Sequence, residues 1–418
     1  MAFSQVDTMW MRKALELAAL GSGCTSPNPR VGSVIVCNGT LLGFGWHKKA
    51  GTPHAEVNAV RSAKERGHTD LSCATIYVTL EPCCTHGRTP PCTDLILAER
   101  FRRVVVAAVD PNPRHAGHGL DILRGAGIQV ESGLLEEESA YLNRDFNHFM
   151  RTGLPWVTAK MALSLDGSIA PRRGDSPWLT SAPARNRAHQ LRHLSDAIIV
   201  GAGTVRTDNP KLTIRLLQSG PAAMFVREAN REDSVAMVEK DGELISATSI
   251  MGLMLAAGEG SELRIADMGC GVDPVRIIAQ KPQPLRVVLT RSATFPDTEA
   301  ERVAALFTDE HRERTLIMRN GEPLAVLQDL AKRQVLNVLL EGGGQVLGSF
   351  FQAGLVNEAA FFLAPVMLGT SSPPVAMSDG YPAFAGAALD RVTYEKLGPD
   401  LLMHALIRPA DPGQGPQP

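Results

Sequence analysis

GTPHAEVNAV (residues 51–60) and YVTLEPCCTHGRTPPC (residues 77–92) decide how this chain is read. From His54 the apolar spacing predicts a helix that Gly67 closes, and ATIYVTL (74–80) predicts a strand running into Pro82-Cys83. Cys92 opens a second helical run, CTDLILAERF. One imidazole and two thiolates, carried by a strand end and two helix starts, form the donor set of a catalytic zinc that keeps its fourth position for water. His54, Cys83 and Cys92 are the expected metal ligands. The alternative is a closed site with Cys84 or His86 as fourth ligand, but structural zinc sites favour cysteines two to four residues apart.

Two residues beyond His54 stands Glu56. H-x-E with P-C-x-x-C marks zinc deaminases of nucleobases, in which the glutamate stays off the metal and moves protons. Here eight residues, CTHGRTPP, separate Cys83 from Cys92 instead of two. Glu56 is the expected general acid and base, because it can take a proton from an acidified water and return it to a ring nitrogen and a departing amine.

On either side of these motifs the pattern is layered α/β. A helix is expected from Thr8 to Leu20, then a loop, GSGCTSPNPR, then two β-rich runs meeting at the hairpin signal Asn38-Gly39. In that loop Asn28 lies between two prolines that stiffen the backbone, so it is a candidate for orienting a planar ring; the plainer alternative is a turn asparagine. RRVVVAAVD adds another strand, and the first domain is expected to span 1–150. A second domain is expected over 151–410, with DAIIVGAG, LRVVLTR, TLIM and VLNVLLEGGG as buried strands, 217–284 as an insertion, and 411–418 as a disordered tail.

At 418 residues the chain exceeds one ordinary hydrophobic core, and 44% hydrophobic with 21% charged residues is a globular balance. A formal net charge of -2 provides no broad positive field, which favours small-molecule partners over nucleic acid. No basic stretch followed by an apolar run opens the chain. Its most apolar window, Leu244 to Gly258, is too short and interrupted to span a bilayer and reads as a buried helix or strand pair. Seven cysteines without an export pattern favour metal or catalytic use over a disulfide framework, so a reducing cytoplasm is expected.

Two glycine clusters follow strands in the second half, GAGTVRTDNP and EGGGQVLGSFF, and each could present backbone N–H groups to a phosphate. Arg206 occupies the place of the third glycine of a dinucleotide fingerprint, which disfavours a Rossmann fold. Arg192 and Arg215 are candidates for gripping a phosphate, although isolated arginines are often solvated surface charges.

PNPRVGSVIV, GTPHAEVNAV and YVTLEPCCTHGRTPPC closely resemble the bifunctional riboflavin-biosynthesis enzymes, in which a diaminohydroxyphosphoribosylaminopyrimidine deaminase is fused to a 5-amino-6-(5-phosphoribosylamino)uracil reductase. KMALSLDGSIA, SPWLTS, VGAGTVRTDNPKLTIR and LLEGGG resemble the reductase half. The resemblance implies a cytidine-deaminase-like three-layer α/β/α domain followed by a dihydrofolate-reductase-like α/β domain, with Zn2+ and NADPH as cofactors. It implies cofactor contacts at Ala162, Trp178, Thr204, Asp208, Gly343 and Gly344. Substrate contacts are implied at Ser176, Arg192, Leu212, Arg215 and Glu341, with Lys160 and Asp166 near the reacting sugar carbon. A homo-oligomer, dimer or tetramer, acting on phosphoribosylaminopyrimidines is expected. The chain departs from the family's usual residues at Cys84, where serine is common, and at Thr290-Arg291, where Asp-Ser is common. The rival readings are a polynucleotide deaminase of the tRNA type and a nucleotide-binding protein that keeps zinc for stability.

Overall fold

The computed structural model describes residues 3–85, 90–113, 115–169, 178–215, 237–240, 243–246, 282–319, 321–369 and 388–408. The expected tail, Ser176, His86 and most of the expected insertion lie outside the described residues. Two compact units emerge, one on Met1–Thr152 with Gln218–Lys281 and one on Gly153–Leu217 with Pro282–Pro418.

In the first unit the order is α1 (Gln5–Ala19), β1 (Gly32–Cys37), β2 (Thr40–Trp46), α2 (Ala55–Glu65), β3 (Thr75–Leu80), α3 (Cys92–Ala98), β4 (Arg103–Ala108), α4 (His118–Gly125), β5 (Gln129–Ser132), α5 (Glu136–Leu142) and α6 (Arg144–Thr152). The sheet runs β2-β1-β3-β4-β5, antiparallel across β2, β1 and β3 and parallel from β3 to β5. Strict alternation builds the layers. Val34, Val36, Tyr77 and Val105 face α1, while Ile35, Ile76, Val78, Val104 and Val106 pack with α2, α3 and α4.

Glycines set how closely the helices approach. A Cβ on Gly43 would stand 2.4 Å from the Ala59 carbonyl oxygen of α2, and one on Gly32 would stand 1.9 Å from the Ala14 carbonyl oxygen of α1. Contact this intimate fixes the height of α2 above the sheet, and with it the position of His54 at the helix start.

A disulfide joins Cys37 to Cys73, where metal or catalytic use of the cysteines had been expected. Reading the cysteines by motif misses this pair because β1 and β3, antiparallel with Val36 opposite Thr75, bring together residues 36 positions apart.

The chain of the second unit runs β6 (Trp156–Ser164), α7 (Ala182–Leu194), β7 (Ala197–Gly201) and α8 (Ala202–Asp208), leaves it for a stretch that includes a two-stranded hairpin of β8 (Met237–Lys240) and β9 (Glu243–Ser246), and resumes with β10 (Leu285–Thr290) and β11 (Thr315–Arg319). After these come α9 (Pro323–Lys332), β12 (Asn337–Glu341), α10 (Gly344–Gln352), β13 (Glu358–Ala364), β14 (Ala388–Leu397) and β15 (Asp400–Arg408). Its sheet order is β11-β10-β7-β12-β6-β13-β15-β14, parallel except for the pairs made by β15. Of the apolar window 244–258, only the end of β9 is described, and it lies in a strand pair. Among the described residues no helix is long and apolar enough to cross a membrane.

Candidate active sites

Three features of the first unit converge on one point. His54 caps α2, Cys83 follows β3 across Glu81 and Pro82, and Cys92 is the first residue of α3. Their ligand atoms lie within 4.8 Å of one another, and they form the one such metal-binding group among the described residues. His54 Nδ1 is 3.5 Å from Cys83 Sγ and 3.4 Å from Cys92 Sγ. A tetrahedral zinc with bonds of about 2.3 Å to sulfur and about 2.0–2.1 Å to nitrogen needs N···S edges of about 3.5 Å. The donor set therefore fits zinc in chemistry and spacing. Cys84 turns elsewhere, its Sγ 3.9 Å from His115 Nδ1.

Electrostatics prepare the same atoms for a cation. Hydrogen bonds from Cys92 and His54 hold the Cys83 thiol well below the usual thiol range, and the hydrogen bond to Cys83 raises His54. Glu56, buried on the first turn of α2, is pushed up to about 7, chiefly by burial and then by the charge of Cys83. A carboxyl poised near neutrality can both accept and donate a proton.

Asn28 stands at the same site through a residue that sequence reasoning missed. Its Nδ2 is 3.2 Å from His47 Nε2, and His47 Nδ1 is 3.2 Å from the Pro53 carbonyl oxygen. A carbonyl can only accept, so Nδ1 carries the ring proton and Nε2 accepts from the Asn28 amide. Burial lowers the His47 pKa, keeping the ring neutral. Asn28 Oδ1 is thereby left for a ligand. Nothing in the spacing of His47 signals this role.

Buried side chains hold the surrounding loops. Arg30, next to the Asn28 turn, makes a bidentate pair with Asp145 at 2.8 and 2.6 Å. Glu81 accepts from the backbone N–H groups of Asp110, Gly117 and Gly119, tying the loop after β4 to the strand that carries Cys83.

In the second unit the parallel register sets Lys160, midway along β6, beside Glu341, the last residue of β12. Glu341 takes Arg192 bidentately, at 2.6 Å from Nε and 2.7 Å from Nη2, and Arg192 Nη1 also donates to the Thr213 carbonyl at 3.2 Å. Three of the five guanidinium N–H groups are thus used inside the protein, leaving two for a ligand. Burial draws the Lys160 pKa down against the pull of Glu341. Despite its burial, Glu341 is lowered to about 2 by Arg192 and Lys160.

The two glycine clusters meet here. Thr204 Oγ1 accepts the Gly343 N–H at 3.3 Å, and a Cβ on Gly342 would stand 3.3 Å from the same oxygen. Gly343 caps α10 with no side chain to occupy its free N–H groups, an arrangement that suits the phosphates of a nucleotide. Ala162 lies on β6, Asp208 ends α8, and exposed Trp178 stacks under Arg185 at 4.8 Å. Leu212 has its side chain in the core and a backbone φ of 52°, so only its main chain can meet a ligand. Asp166 is taken up by Ser164 Oγ and by the N–H groups of Leu368 and Gly369. Its carboxylate thus ties the turn after β6 to the segment after β13.

Two family descriptions match, the cytidine and deoxycytidylate deaminase zinc-binding region over residues 4–108 and the RibD C-terminal domain over 155–403. The riboflavin biosynthesis protein RibD of Bacillus amyloliquefaciens is 36% identical over 412 residues, covering 98% of each chain. The chain belongs to the RibD family. Escherichia coli RibD is 35% identical over 95% of this chain and 98% of its own. Among solved structures, Acinetobacter baumannii RibD matches with a TM-score of 0.74 at 32% identity, covering 97% of this chain and 99% of that one. A Thermotoga maritima protein described as a diaminohydroxyphosphoribosylaminopyrimidine deaminase/5-amino-6-(5-phosphoribosylamino)uracil reductase also gives 0.74, at 29% identity, covering 96% and 99%. As the resemblance implied, this RibD-family chain is a bifunctional deaminase and reductase of riboflavin biosynthesis, with a cytidine-deaminase-like zinc-binding domain and an NADPH-dependent, dihydrofolate-reductase-like domain.

Proposed function

We propose that residues 1–150 hydrolyse the 2-amino group of 2,5-diamino-6-(5-phosphoribosylamino)pyrimidin-4-one, and that residues 151–410, interrupted by 217–284, reduce the ribosyl group of the product to ribityl. The convergence of His54, Cys83 and Cys92 beside buried Glu56 is the observation that carries this reading.

The chemistry that zinc supplies, held by His54, Cys83 and Cys92, is acidification of a water molecule. Glu56 takes the water proton as oxygen bonds to the ring carbon bearing the amine. It gives that proton to the ring nitrogen, then takes the second proton from the new hydroxyl group and passes it to the amine, so that the C–N bond breaks, a carbonyl forms and ammonia leaves. Asn28 Oδ1, oriented through His47, accepts from the pyrimidine edge. In the second unit the nicotinamide supplies a hydride, with Ala162, Trp178, Thr204, Asp208, Gly343 and Gly344 forming its berth. As the sugar C1′–O4′ bond opens, Lys160 is placed to give O4′ its proton, since burial weakens its hold on that proton. Arg192 and Arg215, with the Leu212 main chain and Glu341, hold the phosphoribosyl group; Ser176 completes the set.

Small molecules are the partners in this reading, which the net charge of -2 supports against nucleic acid. A cytoplasmic location and assembly as a dimer or tetramer belong to the same reading. Incubating the protein with the diaminopyrimidine phosphate, with and without NADPH, tests it by product mass. The expected products are the deaminated compound alone and then its ribityl form. Recovery of unchanged substrate from zinc-loaded protein would overturn the proposal.

A further inference from the structure

From Leu212 to Arg215 the chain belongs to no helix or strand, yet Leu212 and Thr213 are buried. Backbone groups in such a place need partners, and side chains supply them. Arg192 Nη1 donates to the Thr213 carbonyl at 3.2 Å. Gln283 takes both polar groups of Ile214, its Oε1 accepting the N–H at 2.6 Å and its Nε2 donating to the carbonyl at 3.2 Å. His189 Nδ1 accepts the Arg215 N–H at 3.3 Å. His189 and Arg192 sit one turn apart on α7, and Gln283 lies two residues before β10. The anchors are thus fixed to regular elements. Beyond them the Arg215 guanidinium meets no hydrogen-bonding or ion-pair partner among the described residues.

We infer that His189 and Gln283 are positioning residues that set Arg215 for the phosphate of the reductase substrate. The inference rests on the assignment of Arg215 to that phosphate made above. His189 suits the task because its acceptor must stay unprotonated. Burial, then Arg192 and Arg215, bring its pKa down to about 4, so at neutral pH the ring is uncharged and carries its proton on Nε2. It accepts the Arg215 N–H without adding a further positive charge to a site that already holds Lys160, Arg192 and Arg215 against Glu341.

The test is steady-state reduction of the deaminated phosphoribosylaminopyrimidine and of its dephosphorylated counterpart, together with NADPH affinity by fluorescence titration. Losing the acceptor for a partly buried N–H in His189→Leu should raise KM for the phosphorylated substrate about tenfold, with kcat, KM for the dephosphorylated substrate and NADPH affinity all within about twofold. Gln283→Ala should act in the same direction. His189→Asn, which places an oxygen where Nδ1 stands, should restore KM to within about threefold of the parent. Equal losses on both substrates, or a His189→Asn variant as impaired as His189→Leu, would assign His189 to general packing and overturn the inference. Arg215→Ala is the control: if it raises KM for the phosphorylated substrate while His189→Leu does not, the clamp alone is wrong. If Arg215→Ala has no effect, the phosphate site is misplaced and the clamp falls with it.

Discussion

Replacing Gly43 by alanine probes whether packing in the first unit sets the metal geometry. The new Cβ would lie 2.4 Å from the Ala59 carbonyl oxygen and 2.6 Å from the Ala63 nitrogen, both backbone atoms of α2 that cannot rotate away. Ordinary contact begins near 3.4 Å, so α2 must lift by about 1 Å, at a cost of about 1–3 kcal/mol. His54 caps that helix, and its Nδ1 now stands 3.5 and 3.4 Å from the two sulfurs. Metal–ligand distances tolerate only about 0.2 Å of error, so zinc affinity should fall about tenfold to a hundredfold. The assay is zinc content after dialysis against graded chelator, read beside ammonia release and NADPH oxidation. Deamination should fall with zinc occupancy, while reduction of the already deaminated substrate persists. Gly43→Ala protein with parental melting temperature, zinc affinity and deamination would refute the argument that this contact places His54.

Glu56→Gln should keep its zinc and lose ammonia release by about a hundredfold to ten-thousandfold, the usual contribution of a positioned acid–base; parental turnover in that variant would remove Glu56 from proton transfer. Glu341→Gln strips the counter-charge from Arg192 and Lys160, and breaking such a buried pair should lower stability by about 3–5 kcal/mol in denaturant titrations. A loss below about 1 kcal/mol would show the charges are solvated. His189 titrates near 4 when folded against 6.5 for the free side chain, so the unfolded chain binds the extra proton. Stability should be full above about pH 6.5 and decline towards pH 4 by about 3 kcal/mol. In His189→Asn this part of the pH dependence should vanish, and an unchanged profile would place the proton elsewhere.

The zinc ligands were legible because local signals coincide at each. His54 and Cys92 stand at helix starts, and Cys83 follows a strand, so the motif and the periodicity carried the same message. The hairpin at Asn38-Gly39 and the buried strands β7, β10 and β12 were visible for the same reason, whereas TLIM, expected to be buried, forms the half-buried edge strand β11. What stayed hidden depends on contacts between distant segments. The Cys37–Cys73 bond follows from β1–β3 register, and the pairing of Arg192 with Glu341 spans 149 positions. His47 and His189 act through the tautomer that their partners impose, which no spacing rule records. The resemblance put Asp166 near the sugar, but no local signal showed that its carboxylate accepts from the backbone N–H groups of residues 368 and 369.

The most direct test of the deaminase account is X-ray absorption at the zinc edge of the protein reconstituted with one equivalent of metal. The account predicts two sulfur ligands, one imidazole nitrogen and one light, exchangeable oxygen, with the oxygen displaced by a substrate analogue. A third sulfur or a second histidine in the shell, with no exchangeable ligand, would contradict it.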